Sequence, residues 1–240
     1  MVAGQPAYEI RIGNLSFSFR SAVDWTPPGR TTPDPEALAA GLRALDVILP
    51  GQIPQDGLAA LAGPEIRRER LPVVARTAEG ATRYLGDLVR LAATAKTTSK
   101  LRPLVPLLGL GPGLTPSGDD AIGGALVALR CLGLDDLADA TRAWLEISAP
   151  GRTNDISLAH LMAAAEGYGS AALHEILHDL LCGRAARLGA ALAEIDSIGH
   201  TSGWDALAGA VIVLRAWLDT HRHAVRGASH VPAPDDRPIL

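Results

Sequence analysis

Apolar and polar residues alternate over Tyr8–Ser21, with Tyr8, Ile10 and Ile12 followed by Leu15, Phe17 and Phe19. Gly13-Asn14 separates the two runs, and a two-residue loop with glycine first suits a tight hairpin of type II′. A small β element is therefore expected at the N-terminus. The stretch from Trp25 to Pro35 is proline-rich and irregular. At Asp34-Pro35-Glu36 the pattern becomes helical, with Asp34 as N-cap and proline at the first helical position, and it runs to about Leu49. Pro50, Pro54, Pro64 and Pro72 break the next stretch, and Ala78–Lys96 is again helical in period. From Ser117 onward the chain reads as nearly continuous helix, in segments 118–132, 135–147, 155–167, 170–182, 184–195 and 203–222.

This pattern defines the expected fold class. It is mainly α (α+β), a small N-terminal β element followed by a helical domain. The divisions expected are 1–98 for the hairpin and first helices, 99–225 for the helical domain, and 226–240 for a polar, proline-rich, disordered tail. Composition sharpens this. The 240 residues are 48% hydrophobic, mostly Ala, Leu and Val, and only 4% aromatic, a balance that favours helices. The net charge of −4 and the scattered basic residues argue against nucleic acid and against a membrane surface. The longest apolar run, Ala121–Leu129, stops at Arg130, well short of the ~20 residues a membrane span needs. Cys131 and Cys182 are read as buried free thiols. With no leader pattern at Met1–Pro6, the cytoplasm is the expected location.

An internal repeat stands out in the helical half. Residues 116–130 read PSGDDAIGGALVALR and residues 201–215 read TSGWDALAGAVIVLR, a constant offset of 85 with eight identities in fifteen positions. Ser117, Gly118, Asp120, Gly124 and Arg130 answer to Ser202, Gly203, Asp205, Gly209 and Arg215. Two copies are too few for a solenoid. They predict two equivalent helices lying side by side, capped by Ser117 and Ser202 with Asp120 and Asp205 at N3, and touching near Gly124 and Gly209. Plain capping and packing explain these residues without any chemistry. They leave Asp119 without a task, and its counterpart is Trp204.

The segment before the first copy, Leu108–Pro116, reads LGLGPGLTP. Three glycines there let the backbone aim N–H groups at the positive end of a helix, an anion site. It is neither a Walker loop, since no G-K-[ST] follows, nor a dinucleotide fingerprint, whose third glycine spacing is missing. A small anion is expected on the N–H groups of Gly111–Gly118, with Asp119 beside it. A ligand bearing both an anionic group and an amide would suit loop and carboxylates together. The H-E-x-x-H pattern at His174–His178 lacks a zinc-protease context and reads as an ordinary amphipathic helix, so no metal and no cofactor is assigned. Thr153 reads as a helix N-cap or as part of a pocket wall with Ser157.

The motifs GLGPGLTPSGDD and GHTSGWD, with the T-x-x-I-S start at Thr153, resemble the AllH family, subunits of oxamate carbamoyltransferase in allantoin breakdown. The resemblance spans roughly residues 100–215. It implies carbamoyl transfer between oxamate and phosphate, by a hetero-oligomer of several transferase subunits acting on small anionic substrates. Oxyanion stabilisation would fall to backbone N–H groups and proton movement to Asp119, Asp120 or His200. Substrate-binding candidates are Gly111, Gly113, Thr115, Ser117, Gly118, Thr153, Ser157, Ser202, Gly203 and Asp205. A non-catalytic ligand-binding or assembly subunit, or a stand-alone hydrolase of small amides, is the alternative.

Overall fold

The computed structural model describes residues 9–23, 25–30, 32–64, 71–93 and 101–228. The expected tail lies almost wholly outside them. The fold is mainly α with a small N-terminal sheet. Strands β1 (Glu9–Ile12) and β2 (Leu15–Ser18) form an antiparallel hairpin around Gly13-Asn14, with Gly13 at φ +58°. Helices follow as α1 (Pro35–Ile48), α2 (Val73–Ala93), α3 (Ser117–Cys131), α4 (Asp135–Ser148), α5 (Asp155–Ala165), α6 (Ala171–Leu181), α7 (Leu188–Asp196) and α8 (Ser202–Ala228).

Helix α1 starts as its sequence dictates, with the Asp34 carboxylate accepting from the Glu36 N–H and Pro35 in the first turn. Helix α2 begins directly after Pro72, five residues before the periodicity predicted. Proline suits an N-terminal boundary, and Val73 and Val74 are tolerated there because tertiary packing overrides weak propensity.

Helices α3 and α8 form the largest helix–helix interface and run through the middle of one hydrophobic core extending from Leu38 to Leu218. The repeat explains why they can approach so closely. A methyl group on Gly124 would lie 1.8 Å from the Ala206 carbonyl oxygen, and one on Gly209 would lie 1.8 Å from the Ala121 carbonyl oxygen. Ala121 and Ala206 are themselves 85 residues apart, so each contact is the image of the other about a pseudo-twofold axis. The repeated arginines play matched parts. Arg130 Nε donates to the Ala165 carbonyl and its other nitrogens bond Asp135 and Asp139. Arg215 Nε donates to the Ala62 carbonyl and its other nitrogens bond Asp46. Each arginine pins one central helix to a neighbouring element.

Cys131 and Cys182 are unpaired, as expected, but half-buried rather than buried. Among the described residues no helix is long and apolar enough to cross a membrane.

Candidate functional site

The N-terminal turns of α3 and α8 meet at the pseudo-twofold axis, and the expected caps are not where the spacing put them. Ser117 is already helical, Pro116 occupies the N-cap, and no side chain caps α3. Ser202 likewise lies inside α8. The serines instead face the opposing helix. The Ser202 hydroxyl acts on the Asp120 carboxylate, and the Ser117 hydroxyl on the Asp205 carboxylate. A capping-box spacing within one helix and a reciprocal pairing between two such helices use the same residues, so sequence alone does not separate them. Thr115 completes the link, its hydroxyl 3.0 Å from that of Ser202.

Asp119 does have a structural task. It is buried at 1% exposure and receives three hydrogen bonds. The Gly109 N–H donates to its Oδ1 at 2.9 Å, and the Thr153 and Ser157 hydroxyls donate to Oδ2, the latter at 2.7 Å. Asp119 thus ties the glycine loop and the start of α5 to the first turn of α3. Thr153 is therefore not the cap of α5. Asn154 holds that position, accepting from the Ser157 N–H. At the corresponding place on α8, Trp204 is buried and donates Nε1–H to Asp196 at 2.7 Å.

The glycine loop folds onto the helix it precedes. The N–H of Gly118 donates to the Leu110 carbonyl, and those of Asp119 and Asp120 to Pro116. The expected cradle has therefore lost its Gly118 donor to the protein itself. Gly109, at φ +69°, lets the Arg152 carbonyl come within 2.0 Å of where a Cβ would stand. Gly111 and Gly113 also adopt positive φ, and Gly111 is pressed against Ser117.

Beside this junction lies a cleft of about 650 Å³ walled by α3, α5, the turn before α6 and the turn into α8. Thr115, Asp119, Asp120, Ser157, Ser202 and Gly203 line its polar end, and Gly123, Val127, Leu161, Ala164 and Leu173 its apolar floor. No arginine or lysine is among the lining residues. Of the candidates expected from sequence, Gly111, Gly113, Ser117, Gly118, Thr153 and Asp205 lie outside the lining, and so does His200, which is exposed on the turn.

The two repeat carboxylates differ in their surroundings. Asp205 is fully buried, and its Oδ1 accepts the backbone N–H of Leu58, on a segment turned by Gly57 at φ +75°. Burial raises its pKa above the ordinary carboxylate value, while the Leu58, Ser117 and Thr201 contacts pull it back. Asp120 is partly exposed to the cleft. Desolvation pushes its pKa up to about 7, the Asp205 and Asp119 charges add to the rise, and the Ser202 and Thr115 hydroxyls oppose it. Each carboxylate keeps one buried oxygen, Oδ2, without a hydrogen-bond partner. A carboxyl poised near 7 at the edge of a pocket can give or take a proton at neutral pH. The Leu58 contact, 147 residues from Asp205 in sequence, carried no local signal.

Sharing Tyr168 with this cleft, a smaller cavity of about 200 Å³ is lined by Arg30, Arg130, His174 and His178. His174 is buried, which lowers its pKa, and its Nε2 has no partner. Among the described residues no group of three metal-ligating side chains converges.

Fold and site together define a helical protein with a duplicated central helix pair and a carboxylate-bearing cleft at one end of it. Residues 107–214, which carry the first copy of the repeat, all but the last residue of the second, and every lining residue of the cleft, match the family model of oxamate carbamoyltransferase subunit AllH. The resemblance read from the motifs therefore holds over that segment. No solved structure matches the chain.

Proposed function

We propose that this chain is an AllH-type subunit of an oxamate carbamoyltransferase and that the cleft beside Asp120 holds the amide substrate during carbamoyl transfer. The observation that carries the reading is Asp120 itself, a carboxyl near pKa 7 facing a cleft inside the matched segment. In the transfer, the oxamate nitrogen attacks the carbamoyl carbon of carbamoyl phosphate. A C–N bond forms, the C–O bond to phosphate breaks, and Asp120 takes the proton the nitrogen must lose. The reverse reaction returns that proton to the departing oxamate nitrogen. Asp119 is a positioning residue in this scheme, because its oxygens are occupied by the glycine loop and α5.

One observation favours a second reading, in which the chain binds ligand or assembles the complex without performing chemistry. The cleft lining offers no arginine or lysine for phosphate or for the oxamate carboxylate, and the imidazole of His160 is its one basic side chain among the described residues. Reconstitution with the remaining subunits separates the two. On the first reading, Asp120→Ala lowers kcat for carbamoyl phosphate formation about 10²-fold or more, in the range of general acid–base catalysis, with assembly intact. Turnover within about threefold of wild type would leave the chain a binding or assembly subunit.

A further inference from the structure

Resting on the cleft as the ligand site, we propose that Asp120 recognises a neutral amide nitrogen, whose N–H sits on its carboxylate as the backbone N–H of Leu58 sits on that of Asp205. The pseudo-twofold axis supplies the template. Asp205 has a serine from the opposing helix, a threonine from its own N-terminal turn, and the Leu58 amide. Asp120 has the matching serine, Ser202, and a threonine, Thr115, one position before Pro116, the repeat counterpart of Thr201. Among the described residues no backbone N–H bonds it, its Oδ2 is buried without a partner, and the residue lies on the wall of the cleft. The chain thus answers the same carboxylate twice, once with its own peptide group and once with a space.

The template also fixes the chemical class. A peptide N–H is an uncharged donor, so the group that replaces it is an amide, urea or carbamate N–H. An anionic group at this end would meet Asp119 and Asp120, with Asp205 behind them and no arginine or lysine in the lining. The floor of Gly123, Val127, Leu161 and Leu173 asks the ligand for a compact uncharged body next to the amide. Any anionic end of the substrate then points away from these carboxylates, toward the exposed His160 of the lining or a cation of another subunit.

The test uses the full chain and three molecules of one shape, isobutyramide, isobutyrate and isobutylamine, titrated at pH 8 with ¹H–¹⁵N spectra as readout. Isobutyramide should give saturable shifts centred on Thr115, Asp120 and Ser202, and isobutyrate should give none there at the same concentrations. Asp120→Leu, which removes the acceptor, should weaken the amide about tenfold or more, and the isosteric Asp120→Asn about threefold. Equal binding of isobutyrate, tighter binding of the amine, no saturable amide shifts, or unchanged amide affinity in both variants would each overturn the proposal. Amide binding without transfer by the assembled enzyme would count against the transferase reading alone.

Discussion

The first turns of α3 and α8 carry nearly the same residues, yet they end in different surroundings. At α8 the backbone of Gly57 and Leu58 closes over Asp205 and leaves it fully buried. At α3 the equivalent carboxylate, Asp120, opens on a cleft. The repeated motif therefore builds a helix junction and does not by itself build a site. What distinguishes the open end is that no described segment covers Asp120, and that Asp119, where α8 has Trp204, anchors the glycine loop aside. Trp204, in the matching place on α8, fills space instead.

Four measurements test how far the two ends of the junction differ. The largest effect is expected where the halves are most alike. Gly124→Ala and Gly209→Ala each force a methyl group into the partner helix's carbonyl, and each should cost about 3–5 kcal/mol in urea unfolding. A difference between them of more than ~1 kcal/mol would show that the axis is not energetically symmetric. Next come the carboxylates. Asp205→Ala strands the buried Leu58 N–H and should cost about 2–4 kcal/mol, whereas Asp120→Ala should stay within about 1 kcal/mol of wild type. Equal losses would remove the sealed-against-open distinction.

The third concerns Asp119. Asparagine offers one acceptor oxygen where the carboxylate takes three donors on two, so Asp119→Asn should lower stability by about 1–3 kcal/mol. A melting temperature equal to wild type would mean the three bonds carry no net stability. The smallest effect depends on pH. Asp120, raised from 3.8 to about 7 in the fold, binds the proton more tightly in the folded chain than in the unfolded one. Its contribution is most favourable below about pH 4 and is lost as pH rises through about 7. Asp120→Asn removes that penalty. It should melt roughly 3–8 °C above wild type at pH 8, with the gap closing by pH 4. A gap that persists or widens at pH 4 would assign it to packing.

Much of this architecture was legible before any coordinates. Periodicity gave the helices after Ser117, Asp34-Pro35 gave the start of α1, and the offset of 85 brought Gly124 and Gly209 into the α3–α8 contact. The errors cluster where a local pattern has a distant partner. Ser117 and Ser202 look like caps because capping and cross-axis pairing need the same spacing. Asp119 looks idle because Thr153 and Ser157 lie more than thirty residues away. The sealing of Asp205 depends on a proline-broken stretch whose path no periodicity describes. His200 stands next to the second motif in sequence, but the turn carries it to the surface.

The joined glycines of α3 and α8 also bear on how the chain comes to be folded. Their contacts, Gly124 with Ala206 and Gly209 with Ala121, link residues more than eighty positions apart, with α4, α5, α6 and α7 between them. Loop closure over that distance is paid in entropy before any of the interface is gained. On a ribosome, α3 emerges with its tightest-packing face uncovered and stays so until α8 follows, which exposes Gly124 and the surrounding alanines and leucines for the whole interval. The order of elements thus makes the last long helix the one that closes the core, and a chain cut before Ser202 should accumulate as an aggregation-prone intermediate rather than as a smaller folded protein.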